Sequence, residues 1–209
     1  MKITRPPGFV HVGAVLFDGF ELLDFYGPLE MFGLLEGEAK ITVVAEKRGS
    51  LRSSSGPCGV AETAMAGSGG FDVLLIPGGI GTRKEMANPQ FIAELKRLAE
   101  ASPIVTTVCT GSLLLARTGL LDGRKATSNK RVFQLVKGYA PKVEWIAKAR
   151  WMEDGKYFTS SGVSAGMDMT LAVIAKLRGR EKSLEIASRA EYEWHEESSW
   201  DPFAAVAGV

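Results

Sequence analysis

The chain has 209 residues, 45% hydrophobic and 23% charged, an ordinary globular balance that one α/β domain over residues 1–209 accommodates. Twenty-five basic against 24 acidic side chains leave a net charge of +1, which argues against a nucleic acid or an anionic membrane as partner and leaves a small molecule. The two cysteines, Cys58 and Cys109, are too few for a disulfide framework and read as free thiols of a reducing, cytoplasmic compartment.

Val10 to Phe17 is a continuous apolar, β-branched run ending at Asp18-Gly19, the pattern of a strand buried on both faces. His11 within it and its polar end separate it from the apolar part of a secretory leader, and no run approaches the roughly 18 apolar residues that span a bilayer. Leu22, Leu23, Phe25, Tyr26, Leu29, Phe32 and Leu35 then recur at helical spacing, with Gly27-Pro28 expected to kink that helix or to begin a second segment. Ile41 to Ala45 is a second strand. The serines, glycines and Pro57 between Gly49 and Gly70 predict a short hairpin or loop excursion.

Asp72 to Ile76 is a third buried strand, ending in the small-residue turn Pro77-Gly78-Gly79. Asn88-Pro89 opens a helix as N-cap and first-turn proline, and Phe91, Ile92, Leu95, Leu98 and Ala99 form its buried stripe. Beyond Pro103, Ile104 to Val108 is the fourth strand, which passes through Cys109-Thr110-Gly111-Ser112 into the apolar helix Leu113 to Ala116. A short helix near Lys130 to Val136, a strand at Val143 to Trp145 and a hairpin from Arg150 to Ser160 turning at Asp154-Gly155 follow. Two helices close the chain, one with Val163, Met167, Leu171 and Ile174 on a shared face and one from Glu181 to about Glu193. Strands alternating with helices predict a doubly wound, mostly parallel sheet flanked by helices. Its ligand crevice lies at the carboxyl ends of the strands, where Pro77-Gly78-Gly79 and Cys109 fall.

A cysteine between a buried strand and a helix N-terminus is expected to have a lowered thiol pKa, because the positive end of the helix dipole favours the thiolate, which is the form that attacks electrophiles. The same placement also suits a buried cysteine acting as a small hydrophobe, and the turn alone does not choose between the two. Cys58, in Ser55-Gly56-Pro57-Cys58-Gly59, has no helix after it and reads as a loop thiol. The cysteines and the two histidines, His11 and His195, show no metal-ligand spacing, and Gly78-Gly79-Ile80-Gly81 lacks the dinucleotide and P-loop patterns, so no metal or cofactor is implied. Both histidines read as structural.

Val108-Cys109-Thr110-Gly111-Ser112-Leu113, followed by Gly119-Leu120-Leu121-Asp122-Gly123-Arg124-Lys125-Ala126-Thr127, resembles the nucleophile elbow and following segment of the DJ-1/PfpI superfamily, with the isocyanide (isonitrile) hydratase branch as the nearest match. Leu23-Asp24-Phe25-Tyr26-Gly27-Pro28, Ile76-Pro77-Gly78-Gly79 and Ser161-Gly162-Val163-Ser164-Ala165-Gly166-Met167-Asp168 are similar to further blocks of that family, in its order. The resemblance implies a flavodoxin-like, class I glutamine amidotransferase-like fold, a homodimer, and a catalytic pair of Cys109 and Asp24. It also puts oxyanion-stabilising backbone N–H groups at Gly79 and Thr110.

The implied reaction is cofactor-independent hydration of an isocyanide to an N-formamide, with the hydrophobic Phe25, Tyr26 and Ile80 as candidates to shape the substrate pocket. Thr110 stands where many protease-like members carry histidine, which weakens a Cys-His peptidase reading. Asn129 stands where relatives commonly carry histidine. An amide hydrolase or glyoxalase-type enzyme on the same thiol is one alternative. A redox-sensing or ligand-binding protein is another, since the fold also occurs fused to DNA-binding regulators, whose extra domain this chain is expected to lack. The aromatic tail around Trp194, Trp200 and Phe203 is read either as an interface or as packing on its own subunit.

Overall fold

In the computed structural model, which describes residues 8–209, the β-branched and apolar stretches form a buried sheet. Strand β1 (Val10–Val15) leads to helix α1 (Leu22–Gly33), then β2 (Ala39–Ala45), an antiparallel hairpin of β3 (Gly49–Arg52) and β4 (Cys58–Ala61), and the two-residue β5 (Thr63–Ala64). The middle of the molecule is built from β6 (Val73–Ile76), α2 (Thr82–Glu85), α3 (Pro89–Ala101), β7 (Ile104–Val108) and α4 (Gly111–Arg117). Next come β8 (Lys125–Ala126), a 3-10 turn (Lys130–Val132), α5 (Phe133–Tyr139), β9 (Glu144–Trp145), β10 (Trp151–Asp154) and β11 (Tyr157–Ser160). Helices α6 (Ala165–Arg178), α7 (Arg180–Arg189) and α8 (Pro202–Ala207) follow.

Seven strands form one sheet in the order β10-β11-β7-β6-β1-β2-β5, parallel except for the edge hairpin of β10 and β11. The chain runs outward from β1 to β2 and then returns to the other side of β1 for β6 and β7. Right-handed crossovers therefore place α1 and α3 on opposite faces. The change of direction between β1 and β6 opens a crevice beyond the strand ends. This is the doubly wound, mostly parallel sheet expected from the alternation of elements. Its interior is one cluster of buried side chains reaching from Val10 to Ala187, with Phe20, Phe25, Phe32, Phe91 and Phe158 among the largest. Each of these rings contributes roughly 1.5–3 kcal/mol on burial.

Several local expectations are corrected. Helix α1 continues through Gly27-Pro28 rather than beginning a second segment there, because Pro28 costs it one hydrogen bond while Phe25, Leu29 and Phe32 keep its face in the core. Val163 precedes α6 and is partly exposed, so it does not share the buried face of Leu171 and Ile174. Helix α7 stops at Arg189, well before Glu193. There Glu191 adopts a φ of +49° and turns the chain toward Asp168, whose side-chain and main-chain oxygens accept from Tyr192 Oη, Trp194 Nε1 and the His195 N–H. Cys58 is exposed at the start of β4 rather than in a loop. A third closing helix, α8, was not expected, although Asp201-Pro202 starts it with the same capping chemistry as Asn88-Pro89.

Candidate active site

The site begins with an all-buried strand. β7 delivers Cys109 directly beyond Val108 at the carboxyl edge of the sheet, and α4 starts two residues later, so the chain must reverse within Cys109 and Thr110. It does so with Cys109 at φ +57°, a left-handed conformation that costs a side-chain-bearing residue of order 1 kcal/mol or more. The surroundings over-determine that strained residue. Its N–H donates to the Ser160 and Ser161 carbonyls at 3.2 and 3.3 Å, and its own carbonyl accepts from the hydroxyls of Ser112 and Ser128, each at 2.9 Å. The sulfur is left at the floor of a cleft, with Cys109 only 7% exposed.

Helix α1 brings Asp24 beneath this floor, fully buried. Asp24 Oδ2 accepts from the Gly78 N–H at 3.0 Å. This approach needs glycine, since a Cβ on Gly78 would lie 2.8 Å from that oxygen and 2.6 Å from the Thr110 nitrogen. The carboxyl lies close enough to Cys109 for its charge to oppose ionisation of the thiol. Asp24 Oδ1 has no hydrogen-bond partner among the described residues, a buried acceptor left free to take up or release a proton. Burial pushes the Asp24 carboxyl up to about 8, against the lowering effect of the Gly78 N–H and the thiol.

The thiol departs from expectation. Burial, and then the charge of Asp24, hold Cys109 well above the ordinary cysteine value, and the N–H of Thr110 and the amide of Asn129 only partly offset them. The expected depression by the helix end is outweighed because desolvation acts on the whole charge, whereas α4 is a short helix of seven residues.

Asn129 is the residue whose role the sequence did not assign. Its Oδ1 caps the 3-10 turn by accepting from the Arg131 N–H at 2.9 Å, which orients the amide nitrogen toward Cys109. Gly162 lies against both: a Cβ there would sit 2.3 Å from Asn129 Nδ2 and 3.1 Å from the sulfur. The oxyanion donors divide. The Thr110 N–H faces the sulfur, but the Gly79 N–H already donates to the Thr110 hydroxyl at 3.1 Å, so in this state it is not free for a substrate. Thr82 braces that arrangement by donating to the Gly79 carbonyl at 2.8 Å, with its oxygen 3.2 Å from Thr110 Oγ1.

The cleft above the sulfur encloses about 510 Å³ and is walled by Ile80, Leu113, Val132 and Leu135, with Arg83 and Arg131 also reaching it. Ile80 is thus placed where a substrate would lie, while Phe25 and Tyr26 are not. Successive helical residues point about 100° apart, so with Asp24 turned to the strand ends these two face elsewhere. Phe25 is 1% exposed and packs edge-on against Phe20, and Tyr26, 44% exposed, directs its hydroxyl at Gly59 of β4. His11 bonds to Thr42, and His195 stacks on Trp200, both away from the cleft. Trp200 and Phe203 are about half exposed. Among the described residues no group of three His, Cys, Asp or Glu side chains is arranged to hold a metal ion, and no helix is long and apolar enough to cross a membrane.

The isonitrile hydratase of Pseudomonas putida is 30% identical to this chain over 185 residues, covering 88% of it and 78% of the relative. A deglycase of Thermococcus kodakarensis is 30% identical over 145 residues, 68% of this chain and 84% of that one. The crystal structure of a ThiJ/PfpI family protein from Pseudomonas syringae superposes with a TM-score of 0.82 at 30% identity, covering 90% of this chain and 77% of the other. The DJ-1/PfpI family model matches residues 10–176, which takes in the elbow at Cys109, the carboxylate at Asp24 and the glycine turn between them, and the chain belongs to that family.

Proposed function

We propose that the protein hydrates an isocyanide to an N-formamide without a cofactor, through a covalent adduct on Cys109. The observation that carries this reading is a fully buried Asp24 carboxyl beside Cys109, whose thiol lies at the floor of a cleft that no histidine lines. An isocyanide carbon needs a nucleophile, a proton and a water, and has no leaving group to protonate. An amide or ester would in addition need a free donor for its carbonyl oxygen, and the Gly79 N–H is engaged by Thr110.

The reactive form holds one proton between the two groups. Cys109 thiolate bonds to the terminal carbon while Asp24 delivers its proton to that carbon, giving a thioimidate and an Asp24 carboxylate. Water then adds to the carbon, its proton passing by way of Asp24 to the nitrogen. Collapse of the adduct breaks the carbon–sulfur bond, returns the hydroxyl proton to Asp24 and releases the formamide with the thiolate restored. Isocyanide plus water equals formamide, with no oxidant or reductant. Thr110 N–H and the Asn129 amide stabilise charge on the sulfur at the start and end of the cycle.

Formamide production from para-nitrophenyl isocyanide, compared between wild type and Cys109→Ala, tests the reading. Turnover that disappears with the thiol supports it, and a folded wild type that makes no formamide overturns it. We place the protein in the cytoplasm as a homodimer: both thiols are free, and Leu23, Val163, Phe203 and Val206 form an exposed apolar strip beside the cleft that a second copy would cover. Sedimentation of wild type against Val206→Asp tests the pairing.

A further inference from the structure

We infer that the electrophile this site takes carries a carboxylate, which Arg83 and Arg131 bind at the mouth of the cleft. Arg83 rises from α2, just past the Gly79 turn, and Arg131 from the 3-10 turn that Asn129 caps, so the two guanidinium groups approach the space above Cys109 from separate elements. Neither makes a hydrogen bond or ion pair with any described side chain. Elsewhere arginine is mostly neutralised: Arg97 pairs with Glu94, Arg124 with Asp154, Arg150 with Asp168, Arg180 with Glu196 and Arg189 with Glu36.

The single carboxylate among the residues lining the cleft, Glu21, accepts from the Ser54 hydroxyl at 3.0 Å, so the lining keeps a net positive charge. Both guanidinium groups are exposed at the mouth of the cleft, and a guanidinium fork matches a carboxylate with two parallel hydrogen bonds. The roughly 510 Å³ volume also exceeds what a bare isocyano group needs, leaving room for a body that links it to an anionic end. This assignment rests on the hydratase reading for the electrophile, though not for the anion.

Alkylation separates the two. Iodoacetate and iodoacetamide both form a carbon–sulfur bond with loss of iodide and differ in charge, and the exposed Cys58 is a reference thiol in the same molecule. The ratio of iodoacetate to iodoacetamide rates at Cys109, read by peptide mass spectrometry, should exceed the ratio at Cys58 by about tenfold, one charge pair's worth, and fall toward it in Arg83→Gln/Arg131→Gln and in high salt. Arg117→Gln, which removes a charge outside the cleft, should keep the preference. A second ratio, kcat/KM for 4-isocyanobenzoate over para-nitrophenyl isocyanide, should drop similarly in the double variant. A Cys109 alkylation ratio equal to that of Cys58, or unmoved by the double substitution, overturns the carboxylate assignment even if the neutral isocyanide is hydrated. An intact alkylation preference with no formamide from either isocyanide overturns the hydratase reading and leaves the carboxylate site standing.

Discussion

Asn129 presents its amide nitrogen to the Cys109 sulfur because its carbonyl oxygen is committed to the Arg131 N–H at 2.9 Å. An amide at this position donates a hydrogen bond at every pH, where a histidine would titrate. Asn129→Leu keeps the volume and removes the donor. It should slow alkylation of Cys109 by roughly ten- to a hundredfold, the worth of a hydrogen bond to a charged group, and move the midpoint of the alkylation pH profile upward. An unchanged profile would show that the amide serves only the 3-10 turn.

The strain at Cys109 has a signature of its own. At φ +57° a Cβ is unfavourable and glycine is not, so Cys109→Gly should be more stable than Cys109→Ala by about 1 kcal/mol, the reverse of the order in a helix or strand. Ser128→Ala, which removes a hydroxyl donor to the Cys109 carbonyl, should cost roughly 1 kcal/mol and lower thiol reactivity as well. Urea denaturation of the variants measures both.

How much of this was legible in the chain follows from range of interaction. The strand β7, the elbow after it and the Asn88-Pro89 cap are set by residues adjacent in sequence, and local pattern finds them. Asp24 was not local: nothing in Glu21 to Pro28 says which side of α1 faces the strand ends, and the assignment came from a resemblance. The same gap misplaced Phe25 and Tyr26, whose apolar character fits core, hairpin and pocket equally. The raised Cys109 pKa was missed because the helix end is visible in the sequence while the depth of burial is not. Lys130 shows this too, since its ammonium is buried against the Thr127 hydroxyl and the Ala149 carbonyl, partners set only by the fold.

The buried carboxyl makes stability fall with pH. Asp24 is held at about 8 when folded and lies near 4 when unfolded, so the unfolded chain ionises first and folding weakens as pH rises through that window, after which the raised Cys109 thiol continues the decline. Each pH unit costs up to roughly 1.4 kcal/mol, or about 3–5 °C in a domain of this size. Asp24→Asn lacks the ionisation. Its melting temperature should therefore gain on wild type between pH 4 and 8. A lead independent of pH would mean that Asp24 is ionised in the folded protein.

Turnover should follow the pair rather than either group alone. Below pH 8 both protons are held, and the first is lost near 8, leaving the monoanion whose thiolate–carboxylic acid form is reactive. For para-nitrophenyl isocyanide, kcat/KM should therefore rise through about pH 8 and then hold, since the second proton leaves only at higher pH. Asp24→Asn removes the proton donor and should lower kcat/KM by roughly 10²–10⁴-fold, with the inflection near 8 gone. Cys109→Ser should be inactive, because no histidine lines the cleft to deprotonate a hydroxyl and burial opposes the alkoxide. Cys58→Ala should match wild type, its thiol being exposed on β4. A wild-type rate that declines through pH 8 would instead assign the reaction to the doubly protonated pair, with the neutral thiol adding and Asp24 acting solely as acid.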